Sequence, residues 1–279
     1  MADAKAYEIR TISEALRDSS DIPINYEQGT IAMDTKSFDE FVKRTRHRLA
    51  YQELMKQQRI ESVYNQAYRL LEEEPDVPDT PVDPDWIIRL CNSVEDISSP
   101  KMQEIWAKVL ANEVKTPGSF SLRTLNVLKN LTQKETALFE RISPFVLQSS
   151  RDGEKTFDDC YILANTEIYK KHGITFPDIM IMDEAGLMSS AALVTMTFKF
   201  DAYTVERIIA MKKALIFESH PDASFSIPVF PLTEAGKELL PIMQCNYSSY
   251  SEDLYVKDCL LECQEHNSSG QVSINLVDI

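Results

Sequence analysis

Histidine and cysteine are the residues most able to do chemistry, and here both are dispersed. His47, His172, His220 and His266 stand apart, each in a polar or turn context. A catalytic histidine needs a nucleophile and an orienting acid within reach. Nothing in the linear spacing selects such a set, so all four read as surface or turn histidines. Cys91, Cys160, Cys245, Cys259 and Cys263 are odd in number and scattered, which predicts reduced thiols and not a disulfide framework. Cys259 and Cys263 lie one helical turn apart, half of a metal site, but no second pair completes it. The expectation is a partly buried pair of thiols, with no metal and no cofactor. Among carboxylates, Asp158-Asp159 and Asp183-Glu184 are close pairs outside the acidic linker region. Adjacent residues on a helix do not face each other, so neither makes a convincing catalytic dyad.

Glycine narrows the choice further. Gly29, Gly118, Gly153, Gly173, Gly186, Gly236 and Gly270 are so spaced that no two lie within ten residues. A phosphate-cradling P-loop, a GxGxxG dinucleotide turn and a GxSxG nucleophile elbow are therefore all absent, as is HExxH. The missing motifs favour a non-enzymatic role over an enzyme with an unrecognised acidic site.

Two constellations remain. The first runs from Trp106 through Glu113 to PGSFSLRT at 117–124. Arg123 follows Ser121 by two residues and adjoins Thr124 at a helix start, where free backbone N–H groups attract anions. One reading is a small-anion or acidic-peptide contact made by Ser119, Ser121, Arg123 and Thr124. The other is that the serines cap the helix while Arg123 pairs with Glu113 or a neighbour. The second constellation is a basic patch, in which Lys43, Arg44, Arg46, Arg48, Lys56 and Arg59 face Glu53 alone. Its counterpart lies at 72–104, where ten acids (Glu72, Glu73, Glu74, Asp76, Asp79, Asp83, Asp85, Glu95, Asp96, Glu104) stand against Arg89 and Lys101. Such runs are usually solvated faces, here able to attract one another within the molecule or across a homodimer.

The elements that must carry these residues follow from periodicity and caps. Residues 1–36 read as a short helix and a hairpin around Gln28-Gly29-Thr30, with Ile22, Ile24 and Tyr26 alternating before it and Ile31 and Met33 after. Residues 37–74 contain no Gly or Pro and are rich in good helix formers. A long helix with a thin apolar stripe is expected there, either a half-exposed arm or one strand of an oligomeric bundle. Prolines at 75–82 make a linker. Residues 83–148 read as a four-helix domain. Asp83-Pro84 and Ser99-Pro100 are start signals, Met102, Ile105, Trp106, Val109 and Leu110 form an unbroken stripe, and Thr132 to Glu135 is a capping box. Residues 149–279 read as an α+β domain. It holds a helix from Thr175 stopped at Gly186, strands at 192–200, 215–217 and 226–230 around a His220-Pro221-Asp222 turn, a Thr233-capped helix, a helix near 251–264 and a final strand through Val272, Ile274 and Leu276. The fold class expected is α+β, mainly α.

The 279 residues carry a formal charge of −15, with hydrophobic residues at 43% and charged ones at 26%. That is an ordinary globular composition. The charge disfavours nucleic acid and anionic membranes as partners at long range, leaving a protein partner or a homo-oligomer. No stretch is apolar enough to span a membrane, and the opening MADAKAYEIR is no signal peptide, so a cytoplasmic protein is expected.

The stretch VDPDWIIRL through MQEIWAKVLANEVKTPGSFSLRTLNVLKNL closely resembles a bacterial family known as domain of unknown function 2806. The resemblance is carried by Asp85-Trp86, Met102-Gln103, Trp106-Ala107, Leu110, Glu113 and Pro117-Gly118-Ser119-Phe120-Ser121 with Arg123-Thr124-Leu125. ADAKAYEIR and the basic helix near 44–60 also look like family features. Asn112 departs from the glycine of the usual LAGE run. The family name implies no activity. The central helices are more distantly similar to the abortive-infection alpha proteins of bacteria, which implies phage defence. MDEAGLM at 182–188 and PLTEAGKELL at 231–240 resemble the helix end and post-wing elements of winged helix-turn-helix domains. In DNA-binding members a basic recognition helix enters the major groove. The corresponding helix here, Phe176 to Ala185, holds Asp178, Asp183 and Glu184 and no basic residue, which favours protein contacts.

Overall fold

A computed structural model describes residues 24–25, 30–31, 35–72, 80–151, 159–190, 194–200, 206–210, 213–219, 223–243, 252–267 and 272–278. The expected N-terminal helix, most of the proline-rich linker, Cys245 and the His220-Pro221-Asp222 turn lie outside these residues. The chain divides into two compact units, Met1–Ile60 and Glu61–Ile279. In the first unit β1 (Ile24–Asn25) pairs antiparallel with β2 (Thr30–Ile31), Ile24 opposite Ile31. The long helix α1 (Thr35–Glu72) follows. No described side chain of α1 from 38 to 62 is buried, and the first buried ones are Val63 and Ala67. The thin stripe read in the sequence is thus exposed at Phe38, Leu49 and Leu54 and half-buried at Phe41, Val42 and Ile60.

In the second unit, helices α2 (Pro84–Val94), α3 (Pro100–Lys115), α4 (Leu122–Asn130) and α5 (Gln133–Ile142) fall where the apolar periodicity puts them. Asp83 caps α2 by accepting from the Asp85 amide, and Pro84 occupies the first turn, where a missing N–H costs nothing. Ser99 precedes α3 but makes no side-chain cap, so Pro100 alone carries that start signal. Thr132 and Glu135 exchange both bonds of a capping box. The inward faces bury Trp86, Leu90, Val94, Ile105, Trp106, Val109, Leu125, Leu128, Phe139 and Ile142.

The chain then builds a seven-stranded antiparallel sheet. Its strands are β3 (Leu147–Arg151), β4 (Asp159–Leu163), β5 (Val194–Lys199), β6 (Glu206–Ala210), β7 (Lys213–Ser219), β8 (Ser224–Pro231) and β9 (Val272–Asp278), in the spatial order β5-β8-β4-β3-β6-β7-β9. Helices α6 (Thr166–Lys170), α7 (Phe176–Glu184), α8 (Glu234–Met243) and α9 (Glu252–His266) intervene. The sheet is larger than the small α+β unit expected, because β3, β4 and β6 join strands that alternation had marked. β7 and β8 follow one another in the chain, yet β4, β3 and β6 lie between them.

The sheet curls strongly. Neighbouring strands sit about 4.8 Å apart, so β5 and β7, five positions apart, would be well over 20 Å apart in a flat sheet. Instead the rings of Phe198 on β5 and Phe217 on β7 stack at 5.9 Å, and Phe225 on β8 lies 5.4 Å from Phe217. Curling lets one face bury its aromatic residues against itself, as closed sheets do. Helix α7 ends in a Schellman turn. Gly186 takes φ 76°, Leu187 N–H donates to Met182 O at 2.9 Å and Gly186 N–H to Asp183 O at 2.9 Å. A bridge from Met188 to Leu232 and the Thr233 hydroxyl, which donates to Gly186 O at 2.7 Å, tie this turn to the start of α8.

Candidate functional site

The first constellation folds into one tightly held loop between α3 and α4. Glu113, 2% exposed, sits on the inner face of α3. Its two carboxylate oxygens accept from the Gly118 amide at 2.6 Å and the Phe120 amide at 2.9 Å. Gly118 takes φ 90°, a left-handed conformation that disfavours side chains. The Trp86 indole donates to Phe120 O at 2.7 Å, and the Ser119 hydroxyl donates to Thr116 O at 2.6 Å. Trp106 is fully buried, and its indole N–H meets no acceptor among the described residues. Ser121 caps α4, accepting from the Thr124 amide at 3.2 Å, while Thr124 is buried.

The Ser121 amide, at the helix start where an anion contact is expected, donates to Glu238 on α8 at 2.7 Å. Carboxylates therefore hold the Gly118, Phe120 and Ser121 amides, and a further anion would meet their negative charge. Arg123 is exposed and makes no hydrogen bond or ion pair among the described residues. The expected Arg123 to Glu113 pairing is corrected: Glu113 turns inward to the loop backbone, and Arg123 turns outward.

The basic residues all lie on α1. Lys43, Arg46 and Arg48 are exposed, and Arg44, Lys56 and Arg59 half-buried. Arg48 donates to Gln52 at 2.8 Å, and Lys56 approaches Glu53 at 3.4 Å. Exposed Phe38, Leu49 and Leu54 share this stretch, Leu54 being 67% exposed.

Helix α7 presents a different surface. Phe176, Met180 and Ile181 are exposed beside buried Ile179 and Met182. Asp178 is taken up by the Thr175 amide at 2.8 Å, and Asp183 accepts from the Ser190 amide at 3.1 Å and from its hydroxyl. No basic side chain occurs on this helix.

The thiols are more deeply placed than expected. Cys259 and Cys263 are fully buried on α9, beside Tyr255, whose hydroxyl donates to Phe145 O. Burial pushes the Cys259 thiol up to about 12 and the Cys160 thiol up to about 11. Both stay protonated and unreactive at neutral pH. No group of three or more His, Cys, Asp or Glu among the described residues could hold a metal ion. His172 is half-buried, its ring 4.9 Å from that of Phe145, and burial lowers its pKa. No described helix is long and apolar enough to cross a membrane. Glu238 is the residue that sequence reasoning missed, since nothing local links position 238 to position 121.

No curated protein and no solved structure matches the chain. One family model does, over residues 43–255, from the basic stretch of α1 to the start of α9, well over half of the chain. The chain therefore belongs to the family described as protein of unknown function (DUF2806).

Proposed function

We propose that this protein is a non-enzymatic interaction or scaffold protein, which binds a protein partner or a copy of itself through α1. One observation carries the reading. From residue 38 to residue 62, α1 buries no described side chain, yet it displays Phe38, Leu49 and Leu54 among Lys43, Arg46 and Arg48. Helices gain most of their stability from packing an apolar face, and exposed apolar residues mixed with one sign of charge suit a protein interface. The apolar outer face of α7 supports protein contacts over base readout, and it is the helix that the winged-helix-like reading would make the recognition helix. The resemblance of the central helices to abortive-infection alpha proteins is what suggests bacterial phage defence as the setting of this proposed scaffold.

The test uses the full chain and its R44E/R46E/R48E variant as baits against bacterial extract and against free chain. The wild type retains a partner, and the variant retains at least about tenfold less. Equal retention by both overturns the role of α1. In phage challenge, cells carrying the wild type plate phage less efficiently than cells carrying the variant, and equal plating contradicts the defence setting.

The exposed Lys43, Arg46 and Arg48 favour one second reading, nucleic-acid binding through α1. It predicts binding to mixed-sequence duplex DNA or RNA that weakens steeply with salt. Absence of binding at low salt removes it.

A further inference from the structure

Strand β9 ends the sheet. It pairs with β7 along its whole length, Lys213 opposite Asp278 through Ser219 opposite Val272, and no described strand lies beyond it. In an antiparallel ladder alternate residues direct their N–H and C=O groups away from the neighbour. The outer edge of β9 thus offers backbone donors and acceptors at fixed spacing, which only another extended chain can match. Natural edges of this length are usually blunted by Lys, Pro, a bulge or an inward charge. β9 reads Val-Ser-Ile-Asn-Leu-Val-Asp, with no Pro, no Lys and no charge before its last residue. Leu276 and Val277 are 38% and 43% exposed, and Asn275 is exposed between them and half-buried Ile274. The opposite edge, β5, ends in Lys199 and carries Thr195 and Thr197.

We propose that β9 pairs antiparallel with β9 of a second copy, about a twofold axis at Asn275. Residues directly opposite must share a face, and centring on Asn275 is the register that pairs all seven residues. Ile274 then meets Leu276 on both sides of the axis, Ser273 meets Val277, and Asn275 meets its own copy. Charge selects this arrangement over the parallel one. Antiparallel pairing places the two Asp278 residues at opposite ends, opposite Val272, whereas parallel pairing sets like charges side by side. The same patch on both copies gives a closed, isologous dimer. A single seven-residue edge buries less than a standard stable interface, so the association is weak and concentration-dependent. The two copies repel through their net charge of −15, and salt screens that repulsion. This contact uses no residue of α1.

Sedimentation equilibrium of the full chain tests it, at low and high salt, with N275K and N275D as variants at an exposed position. The wild type is expected to dimerise, more tightly at high salt. Each variant alone sets like charges on the axis and dimerises about tenfold more weakly, and an equimolar mixture of the two restores dimer. A wild type that stays monomeric overturns the proposal. So does a dimer indifferent to both variants. A dimer that N275K leaves intact but R44E/R46E/R48E dissolves overturns the edge pairing while supporting the role of α1, so the two failures are distinguishable.

Discussion

At the scale of single residues, Glu113 and Gly236 carry the most weight. Truncating Glu113 leaves the Gly118 and Phe120 amides without their acceptor. Leaving the buried Phe120 amide unmatched costs about 1–3 kcal/mol, and the more exposed Gly118 amide adds less, so E113A lowers the urea midpoint, and E113Q, which keeps one carbonyl oxygen, lowers it less. R123A changes stability by less than about 0.5 kcal/mol, because the side chain is exposed and makes no polar contact. An R123A chain that unfolds would contradict the loop as described. Gly236 is needed for close approach. A Cβ there would meet the Leu187 carbonyl oxygen at 2.1 Å, and backbone cannot swing aside. G236A costs about 1–3 kcal/mol by overpacking, read as a lower urea midpoint with unchanged slope. The buried thiols add a pH dependence. Burial raises Cys160 to about 11 and Cys259 to about 12 from an ordinary 9.0. The unfolded chain therefore releases these protons first, and stability falls as pH rises from 9 toward 11 and 12, by about 1.4 kcal/mol per unit for each thiol. Urea unfolding at about pH 8 and about pH 10 checks this; equal stability at both contradicts the burial of these thiols.

At the scale of elements, the helices at 83–148 were legible because a start signal and an apolar stripe agreed in each. Asp83-Pro84, Ser121 and the Thr132–Glu135 box start α2, α4 and α5, and the stripe from Met102 to Leu110 fixes the buried face of α3. The strands were legible where alternation was clean, as in β5 and β9. β3 and β6 were not, since LQSSR and ERIIA mix buried and polar residues over five positions without a regular period. The candidate loop was half legible. Its residues stood out and its caps were readable, but the Glu113 bonds to the loop amides and the Glu238 contact across 117 positions were not. Nothing in the local sequence encodes a contact that the tertiary fold creates. Helix α1 carries its own prediction. With no described side chain buried from 38 to 62, that stretch exchanges its amide hydrogens faster than the stretch holding Val63 and Ala67. Hydrogen exchange on the dilute chain shows this gradient, and uniform protection along α1 would contradict it.

At the scale of the whole molecule, charge is the organising property. The chain carries −15, yet α1 gathers six basic residues between 43 and 59 against a single acid. Net charge keeps copies apart at long range, while a local patch of opposite sign selects partners. A contact made by the basic patch weakens as salt rises, whereas pairing at β9 strengthens. The direction of salt dependence thus reports which surface is in use. The central claim is that α1 exists to bind another protein. Sedimentation velocity of the fluorescently labelled full chain, dilute in buffer and then in bacterial extract or with excess unlabelled chain, tests it most directly. The account predicts a heavier species in extract or with excess chain, abolished by R44E/R46E/R48E. A wild-type chain that sediments as a monomer in every condition would contradict it.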